Sequence, residues 1–231
     1  MAKPREAVSV AAITALLFGA VACGGTNDKG KAQEGTPSSQ AASAGLCGGA
    51  VTSAARSALS LLTGTSELHP TDAAADPSAV ARGLIANWAP LNTPPHKRDV
   101  VALCAISTEK NLGAGPADVR IEFRLSDADE AKGDGKIASS LERYEMGVRA
   151  SVGSQRAYVW FSCESGRLSS SEQSPAYLLA SVELSRAPKG EQGALKDANA
   201  TVVHSAARSV AQQLGCADDG GLAPAPALKH T

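Results

Sequence analysis

The stretch ADVRIEFRL (117–125) alternates without a break, with Val119, Ile121, Phe123 and Leu125 on one side and Arg120, Glu122 and Arg124 on the other. A period of two belongs to a β-strand with one buried face, since a helix would scatter the same residues around its circumference. Short links between the strands downstream favour an antiparallel sheet, with helices packed on one face and the charged face open to solvent. Working outward, RYEMGVRASV (143–152) places Tyr144, Met146, Val148, Ala150 and Val152 opposite Glu145 and Arg149. After the turn GSQ comes RAYVWFSC (156–163), and the two segments are expected to pair as a hairpin. VVALCAIS (100–107) is nearly all apolar and reads as a buried strand, and AYLLASVEL (176–184) supplies a fifth.

Helical periodicity flanks this block. In LCGGAVTSAARSALSLL (46–62), Val51, Ala55, Ala58 and Leu62 share a face. In ADPSAVARGLIANW (75–88), Asp76 is placed as an N-cap with Pro77 at the first helical position, and Val80, Leu84 and Trp88 line up. In DANATVVHSAARSVAQQLGC (197–216), Val203, Ala207, Val210 and Leu214 line up and Gly215 ends the helix. The order helix, helix, five strands, helix predicts an α+β fold: a roughly five-stranded, mainly antiparallel sheet with about three helices on one face. The chain of 231 residues is 43% hydrophobic but only 3% aromatic, so its core must be built from Ala, Val and Leu. A net charge of -1 without like-charge blocks gives no general attraction to nucleic acid.

The N-terminus reads as an address. Lys3 and Arg5 precede an apolar run from Val8 to Val21, with small Ala20 and Ala22 before the break, which is the layout of a secretory signal peptide over 1–22. The run is shorter than the roughly 20 apolar residues a spanning helix needs. The segment AVAC (20–23) followed by two glycines resembles the lipobox of bacterial lipoproteins, with Ala20 where Leu is commonest. That resemblance implies a diacylglyceryl group on Cys23. Cleavage after Ala22 without lipidation would leave the same terminus with a free thiol. Residues 24–45 lack periodicity and read as a flexible tether, with a reach of roughly 26 Å. Residues 46–217 are the expected domain and 218–231, rich in Pro, Ala and Gly, the expected disordered tail. The whole layout resembles uncharacterised cell-surface lipoproteins of high-GC Gram-positive bacteria. It implies an extracytoplasmic domain on the outer face of the cell membrane, with the membrane as partner through the lipid, and carries no functional residues with it.

Four cysteines remain, Cys47, Cys104, Cys163 and Cys216, an even set that in an oxidising compartment predicts two disulfides. Of three connectivities, Cys47 with Cys216 and Cys104 with Cys163 is expected, tying the domain ends and bridging within the sheet. No CxxC occurs and the four histidines, His69, His96, His204 and His230, lack ligand spacing, so no metal or other cofactor is expected.

No catalytic residue is assigned. STEK (107–110) has the S-x-x-K spacing of penicillin-binding proteins, but it follows a strand rather than opening a helix, and the companion motifs are missing. SDADEAKGDGK (126–136) lacks the ordered oxygens of a calcium loop and reads as a solvated connection. In RAYVWF, Tyr158 and Trp160 are expected on the outer face beside Arg120, Arg124 and Arg149, a set suited to an envelope protein or glycan partner. The alternative packing has the acidic loop or SGRLSSSEQS (165–174) covering them. The function expected is a non-enzymatic binding domain, with a cell-envelope hydrolase of dispersed catalytic residues as the alternative.

Overall fold

The computed structural model describes residues 45–71, 76–88, 99–113, 115–133 and 140–229. Cys23 and the segments expected as signal peptide (1–22) and, but for Gly45, as tether lie outside the described residues.

The fold is α+β, as the alternation predicts, but the described residues form seven strands, all antiparallel to their neighbours, in the order β1-β2-β3-β7-β6-β5-β4. These are β1 (Leu68–Pro70), β2 (Val101–Thr108), β3 (Val119–Ser126), β4 (Glu142–Tyr144), β5 (Arg149–Val152), β6 (Arg156–Cys163) and β7 (Ala176–Leu184). The two extra strands have separate origins. Leu68–Pro70 is too short to show a period. The expected strand 143–152 is broken at Met146–Gly147, where Gly147 has φ 58° and a Cβ would stand 2.5 Å from the Trp160 carbonyl oxygen. A side chain there is blocked, the chain reverses, and β4 folds back on β5.

The helices are α1 (Ser53–Thr63), α2 (Pro77–Asn87), α3 (Ala128–Lys132) and α4 (Gln192–Leu214). Asp76 caps α2 as expected, its carboxylate accepting from the Ala79 N–H at 2.7 Å with Pro77 following. That contact, with the Ser78 hydroxyl, holds the Asp76 carboxyl below its ordinary value. Glu191 caps α4 through the Gly193 and Ala194 N–H groups, so the helix starts five residues before the expected Asp197. The core-facing side of the sheet carries Ile121, Phe123, Leu125, Val159, Phe161, Leu178 and Val182, all buried, under α2 and α4, with α1 packed on α4. Alanines at 198, 200, 206, 207 and 211 of α4 are buried too, which is how a chain this poor in aromatics reaches close packing.

Both disulfides form, in a pairing other than the expected one: Cys47–Cys104 and Cys163–Cys216, with Cα separations of 5.6 and 4.7 Å. Chain direction explains it. Helix α4 leaves β7 beside the β5–β6 turn, where Asn199 donates to the Gly153 carbonyl, and runs back alongside β6. It therefore ends where β6 ends, and Cys216 meets Cys163. At the other end Cys47 lies in a 3-10 turn, Leu46–Gly49, in which Cys47, Gly48 and Gly49 all have positive φ. Gly48 lies so close to α2 that a Cβ would be 2.7 Å from the Asp76 Cα.

The packed unit also runs beyond Ala217. Asp218, Asp219 and Gly220 take positive φ and turn the chain back, Leu222 is buried, and the Glu145 N–H donates to the Lys229 carbonyl at 3.3 Å. Residues 218–229, expected as a disordered tail, form a strap across α4.

Candidate functional site

Strand register sorts the outer sheet face into rows. One row is Arg124, Leu179, Trp160 and Arg149; the next is Glu122, Ser181, Tyr158 and Ser151; a third is Arg120, Glu183 and Arg156. The five residues expected to form one binding face are all on this side, but they fall in three different rows.

The first row is covered. Asp127 accepts from the Glu130 N–H at 2.6 Å and starts α3, so Ala128–Lys132 of the acidic segment, expected as a solvated connection, are a short helix laid on the sheet, while 134–136 lie outside the described residues. Its Ala131 is fully buried against Trp160, Tyr177 and Leu179. Trp160 is only 7% exposed, and the Arg149 guanidinium lies 3.9 Å from its ring centroid. Arg149 also donates to the Gly133 carbonyl, and Lys132 reaches over the Tyr177 ring at 5.3 Å. Arg124 is held by both oxygens of Glu130, which also accepts from the Ser126 hydroxyl at 2.8 Å. Burial pushes the Glu130 carboxyl up, but the hydrogen bonds from Arg124 and Ser126 with the Arg124 charge outweigh it and hold the group below the usual carboxylate range. Of the two packings the sequence leaves open, Trp160 is therefore in the covered one, under the acidic segment, and Arg124 and Arg149 are engaged by that segment rather than by solvent. A small side chain at the right helical position lets the segment close over the ring.

The other rows are open except at Ser151, which is buried. Arg120, Arg156 and Glu183 are exposed, and Glu122, Ser181 and Tyr158 are half-buried. Tyr158 leans on Trp160 at 6.0 Å between ring centroids. A cleft of about 250 Å³ at this end is lined by Pro116, Arg120, Gln155 and Glu183, and the Gln155 amide is fixed by donating to the Leu184 carbonyl. Arg156 and Glu183, which the sequence reading passed over, are brought here by β6 and β7 register. Their place two residues before Tyr158 and two after Ser181 was the available signal.

On the helical side, a cleft of about 340 Å³ lies between α1, α4 and the strap, lined by Thr52, His204, Ser205, Arg208 and Pro224. His204 is 3% exposed; burial, with the Arg208 charge, pushes it down to about 4, against a smaller upward effect of its hydrogen bond to the Ala223 carbonyl. Ser205 donates to the Ala50 carbonyl at 2.8 Å and accepts from the Thr52 N–H at 3.1 Å, which locks α4 to the start of α1. Both residues are used in packing. In the STEK segment, Ser107 is buried on β2 and Lys110 lies in the 3-10 turn Glu109–Asn111. Among the described residues no group of three His, Cys, Asp or Glu side chains could hold a metal ion, and no helix is long and apolar enough to cross a membrane.

Comparison with known proteins finds no match: no family model, curated protein or solved structure corresponds to this chain.

Proposed function

We propose that this chain is an exported binding protein, held on the outer face of the cell membrane by a lipid on Cys23, whose disulfide-bonded domain engages an envelope protein or glycan without catalysing a reaction. The observation that carries the binding role is the open part of the outer sheet face. Arg120, Arg156, Glu183 and Glu122 present charges of both signs around Tyr158, on strands braced from beneath by the core. Preformed charge complementarity on a rigid sheet favours a specific partner over general adhesion. The lipid anchor is supported by the sequence from Lys3 to Cys23, and two disulfides suit an oxidising compartment. Trp160, covered by α3, serves as the support for Tyr158 rather than as a contact.

Two measurements test this. Cys23→Ser should shift the protein from the membrane fraction to the soluble one; continued sedimentation with membranes would refute the anchor. A photoreactive residue at Arg120 or Arg156 should give a discrete adduct on intact cells, while the same residue at Arg56, on the exposed side of α1, should not. Equal labelling from all three positions would remove the sheet face as the site.

A further inference from the structure

A third cleft, of about 340 Å³, opens where β2 ends, β3 begins, β7 leaves the sheet and α1 terminates. Its walls are unlike those of the other clefts. Leu62 and Leu184 form a buried apolar floor, and Leu61 extends the apolar wall while 47% exposed, one of the few large apolar side chains the domain leaves in water. Around this floor stand Lys110, Arg186 and Lys189, all exposed. Among the described residues none of the three makes an ion pair. Asp118 is the lining carboxylate, and its oxygens are taken: one accepts from the Thr108 N–H at 2.8 Å and hydroxyl at 2.9 Å, the other from the Asn111 amide. Three cations against one carboxylate leave a formal +2. The carbonyl end of α1 offsets roughly half a charge of that.

One of the cations is positioned. The Asp118 carboxylate holds the Asn111 NH₂ group, which turns the Asn111 carbonyl oxygen outward, and that oxygen accepts from the Arg186 guanidinium at 3.1 Å. The guanidinium is thereby fixed at the lip with its remaining N–H groups directed elsewhere, an arrangement suited to a carboxylate or phosphate. An apolar floor beneath a cationic rim is complementary to a molecule with one acidic head and a short apolar body. The volume is at the lower end for a small-molecule site.

We infer that this cleft is a binding site for a small anionic amphiphile, its acidic head on Arg186, Lys189 and Lys110 and its apolar body over Leu61, Leu62 and Leu184. The site stands apart from the sheet-face reading and does not depend on it.

Calorimetric titration of the purified domain with decanoate tests the inference, with decyl phosphate as the second head group and acetate and decanol as partial ligands. Decanoate or decyl phosphate should bind at least ten-fold more tightly than either partial ligand, and whichever head binds better identifies the acid. Arg186→Gln with Lys189→Gln should weaken that binding at least ten-fold, and because both residues are exposed the fold is spared. Asn111→Ala should weaken it less, through loss of the guanidinium's orientation. Acetate binding as tightly as decanoate would reduce the site to surface charge, decanol binding as tightly would reduce it to a greasy hollow, and an unaffected double variant would place binding elsewhere; each overturns the inference.

Discussion

At the scale of single residues, His204 shows how burial decides chemistry. It stands beside Val203 on the buried face of α4, with Arg208 one turn on and the Ala223 carbonyl of the strap as hydrogen-bond partner. A charged imidazole in that place loses solvation and meets a like charge, so the folded chain takes up the proton only near pH 4, whereas the unfolded chain does so near 6.5. Between those values the unfolded state binds more protons. The stabilisation is therefore complete above about pH 6.5 and is lost as pH falls toward 4. Between about pH 7.5 and about pH 5 this one group should remove about 2 kcal/mol of stability. Urea unfolding at both pH values should show that loss in the wild type and a much smaller one in His204→Gln. Equal losses would mean that His204 does not govern the acid sensitivity.

At the scale of elements, strands were legible where alternation was long and helices where caps were explicit. β6 and β7 have the bounds that RAYVWFSC and AYLLASVEL imply, and Asp76-Pro77 starts α2 where it should. What escaped reading depended on contacts distant in sequence. Nothing in the period of 143–152 reports that the Trp160 carbonyl will press on Gly147. That the acidic segment covers Trp160 was one of two packings the sequence left open, but nothing in the composition of 126–136 reports that Ala131 makes the contact. The candidate site suffered from the same limit: register put Arg124, Arg149 and Trp160 on the outer face as expected, but their burial was decided by a helix of five residues. Disulfide pairing was likewise decided by the direction of α4, which sequence spacing does not encode. Each bridge closes a segment of more than fifty residues, 57 and 53, worth about 4 kcal/mol by loop-closure entropy. Proteolysis without reduction should yield linked peptides carrying Cys47 with Cys104 and Cys163 with Cys216. Peptides joining Cys47 to Cys216 would contradict the course of α4 along β6.

At the scale of the whole domain, the strap closes the structure. From Cys216 the chain is pinned by the second disulfide and by the Arg208–Asp219 ion pair at 2.6 Å. Gly220 fits against Phe161, where a Cβ would stand 2.8 Å from the ring, and Leu222 then enters the core at 3% exposure. Composition alone hid this, because a segment rich in Pro, Gly and Ala has few large side chains to advertise burial, and here one leucine and one ion pair are enough. The strap also roofs His204, so the acid sensitivity argued above and the integrity of the strap are linked. Ending the chain after Gly221 removes Leu222 and the Ala223 carbonyl while leaving both disulfides and Asp219 in place. Burying a leucine contributes about 1.5–3 kcal/mol. For a domain of this size that amounts to a melting temperature lower by about 3–12 °C. Scanning calorimetry of the truncated and complete domains at neutral pH should show this drop, together with a smaller loss of stability on acidification because His204 becomes accessible to water. An unchanged transition would mean that residues 222–229 contribute nothing to the fold and behave as the free tail their composition suggests.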